Sequence, residues 1–144
     1  MSIVDRTPRV GLPVYASADD FPWDEDRWPN FSPHEFACKG TGRVAVDPEA
    51  LDLLQEMRTR IGKPFYVVSG YRSPTHNRHV GGAKHSFHKD GVAFDITMDN
   101  HDPYEFKRMA EEVGFDGIGT YPPRRGNFIH VDNRGYRARW GNRF

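Results

Sequence analysis

"HSFHKDGVAFDI", residues 85–96, is the stretch on which the reading of this chain turns. From Val92 onward it alternates: Val92, Phe94 and Ile96 fall on one side, and Ala93, Asp95 and Thr97 on the other, the period-two pattern of a half-buried strand. Asp95 therefore points away from the apolar face, and a carboxylate between Phe94 and Ile96 needs a reason to be there. Two histidines, His85 and His88, stand just upstream.

A second stretch has the same design. In "FIHVD", residues 128–132, Ile129 and Val131 face the core while Phe128, His130 and Asp132 share the opposite face. Asp95 and His130 thus project from two strands on the polar side, with His88 just before the first. Zinc takes imidazole nitrogen and carboxylate oxygen in a tetrahedral shell, and a catalytic site uses three protein ligands with water in the fourth place. Spacing alone suggests rather than fixes such a site. With seven histidines in 144 residues, a surface or hydrogen-bonded role competes for each one taken singly.

Around these strands the punctuation is regular. "FSPHEF" carries Ser32 as cap, Pro33 at the first helical position and Glu35 to complete a capping box for a short helix. "DPEALDLLQEMRTRIGKP" predicts a longer helix capped by Asp47, with Leu51, Leu54, Met57 and Ile61 at helical spacing and a stop at Gly62 and Pro64. "FYVVSGYR" reads as a strand ending at Gly70, and "SPTHNRHVGGAKHS" as a loop. "DPYEFKRMAEEVG" is a second helix with an Asp102/Glu105 box, apolar Phe106, Met109 and Val113, and Gly114 as terminator. Two short strands around a proline turn follow, through "GIGTYP" and "FIHVD". Residues 1–30, proline-rich with Trp23 and Trp28 and no periodicity, read as an extended arm laid over the core, and 31–144 as one domain.

Composition narrows the partners. Twenty Lys and Arg balance twenty Asp and Glu, so no global basic field argues for nucleic acid. The end "NRGYRARWGNRF", with Arg134, Arg137, Arg139 and Arg143, reads as a solvated basic terminus; docking on an acidic polymer such as a cell wall, or salt-dependent DNA association, are its other readings. Cys38 is the single cysteine, which excludes an intrachain disulfide and a cysteine-rich zinc finger and fits folding in a reducing cytoplasm. The first residues lack a charged segment followed by an apolar run, and no stretch reaches membrane-spanning length. The expectation is a protein made in the cytoplasm without a signal peptide, with no membrane insertion.

"SGYRSPTHN", then "SFHKDGVAFDI" in the form Ser-x-His-x-x-Gly-x-Ala-x-Asp-Ile, then "GIGTYP" and "FIHVD", together resemble the M15 family of zinc D-Ala-D-Ala carboxypeptidases and murein endopeptidases, in the family's order from about Phe31 to Trp140. The resemblance implies zinc held by His88, Asp95 and His130, and an α+β fold with a small antiparallel sheet carrying the metal on one face and helices on the other. That fold is related to the hedgehog signalling domain, where the same metal site need not mean peptidase activity. Gly91 and Ala93 then make sense as small residues that let the backbone run close beneath the site, although Gly91 serves equally as a turn glycine. Arg72 matches the arginine that engages substrate near the scissile bond.

One departure concerns the general base. Several members place a carboxylate a few residues before the last zinc histidine, and here "RRGNFI" has none. Asp132, two positions after His130 on the same face, is the nearest candidate; it serves either to accept a proton from zinc-bound water or to orient a ligand histidine. Ser86 and Asn77 fit side chains that hold the loop. Tyr121 and His85 are weaker candidates for hydrogen bonding in the transition state, against packing beside the proline turn for Tyr121 and a solvent position for His85. The resemblance implies hydrolysis of amide bonds in peptidoglycan peptides. The short, signal-less, single-domain form resembles phage-encoded members, which act as holin-released lysis enzymes or as tail-associated wall hydrolases; the expectation is a monomer if free, or a partner of phage tail proteins. The alternatives are an L-alanyl-D-glutamate endopeptidase of the same family and a zinc-containing wall-binding or virion component without turnover.

Overall fold

A computed structural model of the protein describes residues 12–144. The part of the expected N-terminal arm before residue 12 lies outside the described residues. From Leu12 to Asn30 the chain runs against the core: Tyr15 exchanges backbone hydrogen bonds with Val44, a 3-10 turn spans Ala18–Asp20, and Trp28 is buried against Trp23. Arg27 grips Asp52 with two hydrogen bonds of 2.7 Å, and Trp28 Nε1 donates to the same carboxylate at 2.8 Å.

Helix α1, Pro48–Ile61, begins where Asp47 accepts from the Glu49 amide and ends at Gly62, whose φ of 74° is the left-handed conformation that glycine adopts without steric cost. Its apolar stripe, Leu51, Leu54 and Met57, is fully buried. Helix α3, Pro103–Val113, is capped by the Asp102 side chain and buries Phe106 and Ala110. Between them lie strand β1, Val67–Ser69, a short helix α2, Pro74–His79, a 3-10 turn at Phe87–Asp90 and strand β2, Ala93–Thr97. Strands β3, Gly117–Tyr121, and β4, Phe128–Asp132, flank the proline turn as expected, and β5, Ala138–Gly141, closes the order.

The five strands form one sheet in the order β1-β2-β4-β3-β5, antiparallel except for the parallel β3–β5 pair at the edge. Phe94, Ile96, Ile118, Ile129 and Val131 are all buried in the same core as the stripes of α1 and α3. The alternation read from the sequence therefore holds, with helices on one face and the polar residues on the other.

Two expectations are corrected. The stretch 73–86 is not all loop, because Ser73 Oγ accepts from the His76 amide and starts α2. The signal was the Ser-Pro pair, the same cap-plus-proline arrangement that marks the helix after Ser32; the paired glycines downstream masked it. The basic terminus is not simply solvated either. It supplies β5, and Arg134 and Arg139 are engaged, Arg134 by Asp132 and Arg139 by the Asp116 carbonyl at 2.6 Å.

The Arg27–Asp52 contact allows a test of how the N-terminal segment is held. Arg27 holds the Asp52 carboxyl below its ordinary 3.8, against partial burial, with help from Trp28. A depressed carboxylate contributes stability that is present above the unfolded value and lost as pH falls through the folded one. Both groups are substantially exposed, so the contribution is that of a screened surface pair plus one partly buried hydrogen bond. Asp52→Ala is expected to lower unfolding free energy by about 1 kcal/mol at neutral pH. In urea melts followed by tryptophan fluorescence, the gap from wild type should narrow below pH 3.8.

Candidate metal centre

One transverse row of the sheet builds the site. Ser69 on β1 pairs with Asp95 on β2, Asp95 with His130 on β4, His130 with Gly119 on β3, and Gly119 with Trp140 on β5. Antiparallel register thus sets two chemistry-bearing side chains, 35 residues apart in sequence, directly opposite one another. His88 joins them from the 3-10 turn before β2, where Ser86 Oγ accepts from its amide. Gly91 ends that turn at φ 75° and brings its backbone against Ala45, not against the ligand row, so of its two readings the turn is the one it serves.

The three side chains converge. Asp95 Oδ2 lies 3.1 Å from His88 Nε2, and Asp95 Oδ1 lies 3.0 Å from His130 Nδ1. All three are buried, with their ligand atoms within 4.8 Å of one another. The outward nitrogen of each imidazole is already committed. His88 Nδ1 sits 2.8 Å from the Gly70 carbonyl, which can only accept, so Nδ1 carries a hydrogen and Nε2 is the nitrogen turned toward Asp95. His130 Nε2 lies 2.6 Å from Asp132 Oδ2, which leaves Nδ1 facing inward. Two imidazole nitrogens, each held from behind through the other ring nitrogen, and a carboxylate oxygen fit the donor set of zinc at bond lengths of about 2.0–2.2 Å.

Electrostatics follow from the packing. Burial alone would raise the Asp95 carboxyl, but His88 and His130 outweigh it and hold Asp95 far below the usual range. Burial likewise disfavours the His130 cation, while hydrogen bonds from its ring to Asp132 and Asp95 reverse that and raise it. Asp132 would also be raised by burial, yet His130 and Arg134 bring it down to about 2. The site is a chain of alternating charge, Arg72, Asp95, His130, Asp132 and Arg134, in which every carboxylate is satisfied.

Asp132 lies behind His130. Its side chain is 0% exposed, and the 390 Å³ cleft in front of the ligand row has Asp95 as its one carboxylate among the described residues. Arg72 does line that cleft, with NH2 3.5 Å from Asp95 Oδ2; Nε donates to Ser69 Oγ at 3.1 Å and NH1 to Asn77 Oδ1 at 3.3 Å. Asn77 holds the loop through the Ala83 carbonyl, as the sequence suggested, and also orients Arg72. Tyr121 stacks on Phe128 at 4.4 Å beside the turn, and His85 is exposed at the cleft.

Three contributors escaped the sequence reading. Trp140 packs on the His130 ring at 5.1 Å and donates Nε1 to Tyr121 Oη at 2.8 Å. Gly119 makes room for it, since a Cβ there would lie 2.3 Å from Trp140 Cε2. Gly117, two residues earlier on the same face, would put a Cβ 2.3 Å from Asp132 Oδ2. The two glycines of "GIGT" stand where β3 must carry no side chain on the site face, and their spacing of two was the available signal.

Fold and site define a protein in which two histidines and an aspartate form a group that could hold one metal ion, beside a cleft open to solvent. The comparisons name the family. The Peptidase M15 family model matches residues 29–132, well over half of the chain, and the chain belongs to that family. It is also 38% identical over 80 residues to the zinc D-Ala-D-Ala carboxypeptidase of Streptomyces albus G, an alignment covering 54% of this chain and 31% of that protein. The chain thus spans about a third of the length of this curated relative.

Gly117→Ala tests the packing of the site. The new methyl group must displace Asp132 from between His130 and Arg134, and unfolding free energy should fall by about 1–3 kcal/mol, read from chemical denaturation.

Proposed function

We propose that the protein is a zinc-dependent peptidase that hydrolyses amide bonds in the stem peptides or cross-links of peptidoglycan, in the manner of a D-Ala-D-Ala carboxypeptidase or endopeptidase. The observation that carries the reading is the orientation of the ligand set: His88 Nε2, Asp95 and His130 Nδ1 turned inward, with the opposite nitrogens held by Gly70 and Asp132. Family membership and the relative's named activity support the same chemistry.

Each side chain has a task that follows from its place. His88, Asp95 and His130 hold the metal. With zinc held there, the site would have a Lewis acid for the scissile carbonyl and for acidifying water. Arg72, steadied by Ser69 and Asn77, presents a guanidinium at the cleft to a substrate carboxylate or to the charge that develops on the carbonyl oxygen. Asp132 acts through His130, fixing its ring, and does not reach the cleft. With Asp132 behind the ligand row, His85 is the imidazole that lines the cleft outside the ligand set. Trp140 and Tyr121 wall one side and exclude water from the His130 ring.

The setting we propose is a phage lysis enzyme or tail-associated wall hydrolase, a reading that rests on the likeness of the chain to such members. Described helices include none long and apolar enough to cross a membrane. The L-alanyl-D-glutamate bond is the alternative target within the family, since the shape of the cleft sets that choice.

Purified sacculi incubated with zinc-loaded protein should release peptides seen by mass spectrometry, and a chelated control should release none. The fragment masses name the bond. Release that persists in the chelated control would remove the metal from the mechanism, and zinc-loaded protein that binds sacculi without releasing peptide would point to the wall-binding component instead. Asp132→Asn separates the two roles for that residue. As a positioning group its loss weakens zinc affinity by about 10–100-fold. As a proton acceptor its loss would leave affinity intact and lower kcat in fully loaded protein.

A further inference from the structure

Asp132 orients His130, and Asp132 itself is held mainly by Arg134, a residue beyond the family match that ends at residue 132. The grip is a two-toothed fork. Arg134 Nε donates to Oδ1 at 2.9 Å and NH2 to Oδ2 at 2.7 Å, while the Arg134 backbone amide adds a bond to Oδ1 at 3.1 Å. Parallel donors of this kind fix the plane of a carboxylate, which a single point contact does not. Oδ2 is the atom that also meets His130 Nε2.

Arg134 cannot easily drift. Its guanidinium lies over the rings of Phe87 at 4.3 Å, Trp140 at 4.8 Å and Tyr136 at 5.5 Å. Two of those rings touch the ligand set: Phe87 is the chain neighbour of His88, and Trp140 packs on His130. The cage around the arginine is thus made by the surroundings of the metal ligands.

We propose that Arg134 is a positioning residue that acts through Asp132, locking the carboxylate plane so that His130 keeps Nδ1 turned to the metal. The inference rests on the metal reading above. Charge alone predicts the opposite sign, because a cation near a site for a divalent ion repels that ion, and its removal would tighten binding. Orientation predicts weaker binding. The two accounts therefore separate by direction.

The experiment is zinc affinity at fixed pH, by competition with a chromophoric chelator, with circular dichroism to confirm folding. Arg134→Met is expected to bind about tenfold more weakly than wild type. Arg134→Lys should fall nearly as far, since an ammonium keeps the charge but cannot make the parallel pair. Asp132→Asn combined with Arg134→Met should bind no more weakly than Asp132→Asn alone, the non-additivity of residues acting in series. Equal or tighter binding by Arg134→Met, wild-type affinity in Arg134→Lys, or full additivity in the double variant would each overturn the proposal. If Arg134→Met does not fold, Arg134→Lys alone and in the Asp132→Asn background makes the same comparison. A wild-type protein that takes up no zinc would overturn the metal reading itself, an outcome distinct from the others.

Discussion

A carboxylate in the middle of a sheet has to be satisfied or neutralised, and Asp95 is satisfied. It is 4% exposed, on the second strand in from the β1 edge, and each of its oxygens meets an imidazole nitrogen. Burying a charge without partners is among the largest penalties a fold can carry. The rest of the molecule follows from avoiding it. His130 must stand opposite on β4, His88 must be delivered by a turn just before β2, and Arg72 must lean in from beyond β1. Each of those needs support in turn, which is why Gly70, Asp132 and Asn77 are where they are.

Much of this was legible because the sheet has a strict period. Alternation in "GVAFDIT" and "FIHVD" placed Asp95 and His130 on one face, and the structure pairs them directly. The caps at Asp47 and Asp102 announced the two helices that cover the other face. What alternation could not show was depth along the line of sight. Asp132 shares a face with His130, yet whether it stands in the cleft or behind the ring depends on Gly117 leaving a hole beneath it, a matter of strand order and not of pattern.

The C-terminal stretch was hard to read for a related reason. "NRGYRARWGNRF" has the composition of a solvated basic end, and four arginines in twelve residues conceal a four-residue strand. Its pairing partner is β3, a strand reached by stepping past β4, so no local turn signal announces the contact. Trp140 was visible as a residue and invisible as a wall, because its place against His130 exists only once Gly119 is beside it.

The transverse row of paired residues has a consequence for motion. Asp95 and His130 belong to β2 and β4, two of the three inner strands, so an ion held between them would cross-link the interior of the sheet, where opening costs most. The edge strands gain little from that cross-link. They are also the strands that carry Ser69, which steadies Arg72, and Trp140. The cleft is thus a stiff floor between compliant sides, able to keep its ligands in register while its walls yield to the shape of what enters.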